Sequence, residues 1–177
     1  MSARSISLLI ALLGASAANA QEDASRLTCD DNQWGWGWRS GGKACEIREL
    51  TIAATGALSV DAGPNGGVEV TGEDRRDVQV RARVQAWGAD EAEAERIASE
   101  VMIRSDGTLR ATGPEQRGRS GWSVSYDVLA PHEIDLSLKT TNGGLTVAEA
   151  RPWKSSAISP TAARTLTIPR PETAPRT

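Results

Sequence analysis

A single histidine, two cysteines and no phenylalanine leave this 177-residue chain little ligand chemistry. A structural zinc site draws on four Cys, His or carboxylate ligands, and a nucleophilic triad needs an imidazole beside its nucleophile. No metal, no cofactor and no catalytic residue is therefore expected. An excess of charge of one sign is missing too: 20 Lys and Arg against 23 Asp and Glu give a net charge of −3. With no global basic field to hold a phosphate backbone, nucleic acid is not an expected partner. Past residue 20 the chain has no apolar run near the roughly 20 residues that cross a bilayer, so no transmembrane segment is expected in the mature protein. At 39% hydrophobic and 24% charged, the length supports one modest domain.

What is present begins with an address. Met1 to Ala20 has a basic start at Arg4, an apolar stretch from Ile6 to Leu13, and small residues ending in Ala18-Asn19-Ala20. That three-part pattern predicts a cleaved secretory signal, with a mature chain from about Gln21. The expected location is outside the cytoplasm: periplasm, cell surface or medium. An isolated cysteine pair in an oxidising compartment predicts a Cys29–Cys45 disulfide. Closing that loop is worth about 3 kcal/mol in the chain-entropy model. Inside the loop, Trp34, Trp36 and Trp38 alternate with glycines. At period two on a strand, the three indoles share one face, which fits either a ligand platform for sugars or a flap packed over the domain.

From residue 46 the chain reads as short strands. Leu50 and Ile52, Leu58 and Val60, then Val68 and Val70 alternate with polar neighbours between Gly-containing turns. In Gly63-Pro64-Asn65-Gly66-Gly67, Pro presets one dihedral and Asn and Gly tolerate positive φ, which predicts a tight turn. Residues 77–86 form a longer strand, with Val78, Val80, Ala82, Val84 and Ala86 on the core face and Gln79, Arg81, Arg83 and Gln85 on a wet one. The period then changes. Asp90 with Glu93 makes a capping pair, and Ala94, Ile97, Ala98 and Val101 form the apolar stripe of one amphipathic helix over about 90–101. Strands resume at 101–104 and 108–112 across Ser105-Asp106-Gly107, and at 121–129 and 134–138, both read as half-buried antiparallel strands. His132 with Asp135 offers two members of a triad, but no Gly-x-Ser-x-Gly elbow supplies the third. A solvated imidazole at a strand entrance is the expectation.

Thr140-Thr141-Asn142-Gly143-Gly144-Leu145-Thr146-Val147 echoes Asn65-Gly66-Gly67-Val68-Glu69-Val70. These two turns, the Cys-x15-Cys-Glu-Ile-Arg-Glu-Leu run, the Ala/Glu-rich helix and Trp122-Ser-Val-Ser-Tyr-Asp-Val come in an order that resembles the putative adhesin domain family of bacterial envelope proteins. The resemblance covers about residues 29–150. It implies an exported β-rich domain, a β-solenoid-like or meander stack in which Asn-Gly-Gly turns mark successive coils, with no enzymatic activity. Members of that family continue through further Asn-Gly-Gly repeats, whereas this chain has two.

Composition shifts abruptly at Arg151. Residues 151–177 hold five of the eight prolines, no glycine, and five basic residues against one acidic. Such a Pro-rich polar stretch buries too little to offset its chain entropy, so a disordered basic tail is expected. A shifted reading frame would account for the break. In the alternative frame, the codons of Pro160-Thr161-Ala162-Ala163 permit Asn-Gly-Gly about 18 residues after Asn142. Resequencing the gene decides that point.

The sequence thus predicts an exported, non-enzymatic interaction module with an envelope or extracellular partner, a polysaccharide being the candidate. The alternative is a glycan- or small-ligand-binding protein using Trp34, Trp36 and Trp38. Alkylation of the exported protein under denaturing, non-reducing conditions checks the covalent frame: neither Cys29 nor Cys45 should label, and two labelled thiols would contradict it.

Overall fold

A computed structural model describes residues 27–30, 41–148, 156–158 and 164–168. The signal stretch, Trp34, Trp36 and Trp38 lie outside them. Among the described residues the fold is mainly β, with two open mixed sheets and one short helix. The first sheet runs in the order β1 (Gly42–Ala53), β4 (Asp77–Gly88), β7 (Gly121–Pro131), β3 (Val68–Glu73) and β9 (Leu145–Ala148). The second runs β10 (Ser156–Ile158), β11 (Arg164–Ile168), β8 (Asp135–Thr140), β2 (Ala57–Asp61), β6 (Leu109–Thr112) and β5 (Met102–Arg104). Within the stretch expected to be disordered, β10 and β11 are therefore strands. Leu166 and Ile168 stand in register with Leu138 and Leu136 of β8, an alternation that bulk composition does not capture.

Alternation builds the core. Val78, Val80, Ala82, Val84 and Ala86 of β4 are all buried, as are Val124, Tyr126 and Val128 of β7. Across from them lie Leu58 and Val60 of β2, Leu109 of β6, and Leu136 and Leu138 of β8 in the same apolar cluster. Helix α1 (Glu91–Glu100) packs on β4 and β1, burying Ala94, Ile97 and Ala98. Asp90 caps it by accepting from the Glu93 amide at 2.9 Å, and Glu93 accepts from the Ala89 amide at 2.7 Å. The first bond satisfies an amide that a helix start leaves orphaned, and the second ties the residue before the cap to the first turn. The other end has no basic residue of its own. Arg48 of β1 supplies one, donating to the carbonyls of Ala98 and Val101 and to Glu46. That hydrogen bond, opposed by burial, holds the Glu46 carboxyl below its usual pKa.

Strands β7 and β8 depart from the antiparallel expectation. Each has one antiparallel and one parallel neighbour: β7 pairs antiparallel with β4 but parallel with β3, and β8 antiparallel with β11 but parallel with β2. The reason lies in the turns. Each Asn-Gly-Gly turn carries the chain from one sheet to the other, so a strand's partner is its counterpart in the next such arch and runs the same way. Three arches stack in this manner, in the spatial order β6–β7, β2–β3, β8–β9. The first arch in sequence is the middle one in space.

Backbone proximity between the two Asn-Gly-Gly turns is extreme. A Cβ on Gly143 would lie 1.8 Å from the Gly66 carbonyl oxygen, and one on Gly66 would lie 2.1 Å from that of Val124. A Cβ on Gly144 would meet nothing within 4 Å. Gly143→Ala should therefore destabilise the domain by more than about 2 kcal/mol in equilibrium unfolding, while Gly144→Ala stays within about 0.5 kcal/mol. Equal effects would contradict this stacking.

Candidate functional site

The arches end together. In the first, residues 62–67, Asp61 Oδ1 accepts from the Gly63 amide at 2.9 Å, and Asn65 takes φ 62°, which asparagine tolerates better than most residues. The second, residues 141–144, lies directly on it. The Ala62 amide donates to Lys139 O, Thr141 to Gly63 O and Val68 to Gly144 O, at 2.9 to 3.1 Å. Thr140 is fully buried between the two: its hydroxyl donates to Gly66 O at 2.5 Å and accepts from the Gly143 amide at 3.2 Å. At the surface, Asn142 Nδ2 donates to Asn65 Oδ1 at 3.2 Å. The sequence-predicted turn residues Asn65, Gly66, Gly67, Asn142, Gly143 and Gly144 are thus one assembly. Their role in it is to fix the end of the scaffold.

The third arch, residues 113–120, carries side chains of more varied chemistry. Trp122 Nε1 donates to Pro114 O at 2.9 Å and Gln116 Nε2 to Trp122 O at 3.0 Å. Ser120 donates to Glu93 at 3.0 Å, tying the arch to the start of α1. Between this arch and the first is a hollow of about 150 Å³, walled in part by Asp61, Pro64, Arg110, Gln116 and Trp122. Asp61 is already engaged, accepting from Lys139 Nζ at 3.1 Å. Further along β7 from Trp122 is Tyr126, whose buried hydroxyl has no hydrogen-bond partner among the described residues. Burial, and then the negative charge of Asp61, push its phenol above the usual pKa. The alternation of 121–129 places Trp122 on the core face, and nothing local in the sequence shows that it also walls a hollow. That property comes from residues 113–116 folding over it.

The disulfide is in place, with Cys29 and Cys45 Cα atoms 5.7 Å apart. It sets Leu27 and Thr28 across the outer face of β4, where Arg81 donates to Leu27 O at 2.8 Å and Arg83 to Thr28 O at 3.3 Å. The face expected to be wet is consequently covered at Arg83, which is 9% exposed, and burial lowers the pKa of its guanidinium. Neighbouring Ser123 and Asp127 are buried as well. The loop that holds Trp34, Trp36 and Trp38 returns at Gly42, packed on the backbone of Asp90 and Glu91. Its exit is thus on the same end as the arch tips.

At the far end, Ile52, Leu58, Val78 and Leu109, with Thr55, Ser59 and Ser105, line a cleft of about 400 Å³. His132 lies neither there nor at the arch tips. Its side chain is 19% exposed, less solvated than expected, with Nε2 3.6 Å from Asp74. Asp135 is not its partner in that contact.

No family model matches the chain. No curated protein matches it either. Among solved structures it is similar to a "Putative lipid binding protein from Parabacteroides distasonis", at 15% identity and a TM-score of 0.36, over 61% of this chain and 42% of that one. The chain spans less than half the length of that protein. A likeness of this degree says nothing about what the present chain binds. No helix among the described residues is long and apolar enough to cross a membrane.

Proposed function

We propose that the chain is an exported, non-enzymatic interaction module of the bacterial envelope, of the adhesin type its sequence resembles, and that it meets its partner through the arch-tip end. One observation carries the reading: three turns from distant parts of the chain are gathered at one end and fixed there by backbone hydrogen bonds between the first two and by Ser120–Glu93 for the third. Loops held on a rigid scaffold are where recognition residues concentrate. The arches run parallel and in register, which supports the solenoid-like reading, and each additional arch would extend the same surface. No catalytic step belongs to this reading. The single imidazole is drawn to Asp74, away from the arch tips.

The alternative, a glycan-binding protein using Trp34, Trp36 and Trp38, is favoured by the position of Gly42 beside the start of α1, which brings the base of their loop to the same end. Co-sedimentation of the exported protein with an insoluble envelope-polysaccharide fraction tests both. The main reading expects the wild type to sediment and a Glu115→Ala/Arg117→Ala variant, altered at side chains 74% and 78% exposed, to lose at least half of the bound fraction. An Asp106→Ala variant in the opposite hairpin turn should bind normally. If instead Trp34, Trp36 and Trp38 to Ala abolishes binding while the arch variant keeps it, the Trp loop is the site. No sedimentation of the wild type would overturn both.

A further inference from the structure

Charge on the β5–β6 hairpin of the second sheet is not balanced locally. The β5–β6 hairpin sets Arg104 directly opposite Arg110, and like charges facing one another across an antiparallel pair repel. Both residues are exposed. Elsewhere Arg48, Arg75, Arg81, Arg96 and Arg117 each hold a carboxylate within 3.0 Å. The guanidinium groups of Arg104 and Arg110 have no hydrogen bond or ion pair among the described residues. The acids around them do not answer this: Asp61, in register with Arg110, is committed to Lys139 and the Gly63 amide, and Asp106 in the hairpin turn pairs with neither. In a chain of net charge −3, this pair is a local cationic spot with no general attraction for polyanions behind it.

Arg110 is also a wall of the 150 Å³ hollow. That volume lies below the roughly 300–1,000 Å³ of drug-sized pockets, and suits one ring. The chemistry of the hollow is mixed in a particular way. Trp122 has its indole N–H committed to Pro114 and part of its ring under Gly113, so what it turns to the hollow is the remaining apolar ring surface, against which the C–H groups of a sugar pack. Gln116 has its amide nitrogen committed to Trp122 O, and its Oε1, with no hydrogen bond among the described residues, is free to accept from a hydroxyl. A guanidinium matches a carboxylate with two parallel hydrogen bonds.

From this juxtaposition we propose that the hollow binds an acidic sugar, a uronate unit of a polysaccharide, with the ring against Trp122 and Gln116 and the carboxylate held by Arg110 and Arg104. The proposal rests on the arch-tip reading above and names its ligand class.

Isothermal titration of the full exported chain with tetragalacturonate tests it, with the fully methyl-esterified tetramer as the neutral arm and inorganic phosphate and dextran sulfate as other anions. Saturable binding of the acid, weakened about tenfold or more by esterification and by either Arg104→Gln or Arg110→Gln, is expected. Arg76→Gln, at another exposed arginine, should leave the affinity unchanged, and melting temperatures should confirm that all three variants fold. Equal binding of the ester, undiminished binding by Arg110→Gln, or phosphate or dextran sulfate competing as well as the uronate would overturn the proposal, as would no binding by the wild type. Envelope sedimentation that persists while the uronate fails sinks this inference alone. Uronate binding without envelope sedimentation sinks the envelope reading and leaves the sugar site standing.

Discussion

The arch end of this domain depends on how closely two stretches of backbone pass at Gly66 and Gly143. A methyl group on Gly143 would overlap the Gly66 carbonyl oxygen, so the two turns meet at hydrogen-bonding distance only because Gly143 lacks one, while a methyl on Gly66 would overlap the carbonyl oxygens of Val124 in β7 and of Ala62 in its own turn. From that contact follow the three amide-to-carbonyl bonds between the arches, the buried position of Thr140, and the parallel pairing of β2 with β8 and β3 with β9. Each such bond adds about 1 kcal/mol net, but leaving its buried groups unpaired costs more. The turns are therefore an all-or-none arrangement.

This stacking also explains why the first arch can sit in the middle. A strand-turn-strand unit that switches sheets leaves parallel edges open on both sides, and a later unit fits either edge. Here β8–β9 takes one side and β6–β7 the other. The β6–β7 arch has no Asn-Gly-Gly. It closes through longer-range contacts instead, Trp122 to Pro114 and Ser120 to Glu93. Freed from the tight turn, that arch carries the Gln, Arg and Trp chemistry that the stacked pair lacks.

How much of this was legible in the sequence follows the range of each interaction. Alternation over 77–86 and the Asp90–Glu93 capping pair are local signals, and the strand and helix stand where those signals put them. The disulfide was readable by elimination, since the chain has only two cysteines. What the disulfide does was not. Nothing near Arg83 in the sequence says that Thr28 will lie over it, because that contact is made 55 residues away. Parallel pairing was missed for the same reason: periodicity shows that a strand has a buried face, but not which strand lies beside it. The hollow at Trp122 and the unpaired Arg104 and Arg110 are properties of neighbours in space, assembled from β2, β5, β6 and the third arch.

The central claim is that the two Asn-Gly-Gly turns form one cooperative unit with the core and hold the arch tips rigid. Native-state hydrogen exchange at the amides of Ala62, Val68 and Thr141, which cross between arches, tests it most directly. Protection equal to that of Val80 and Val128 in the central strands is the predicted result. Exchange at those three amides approaching that of exposed loops, while the central strands stay protected, would contradict it.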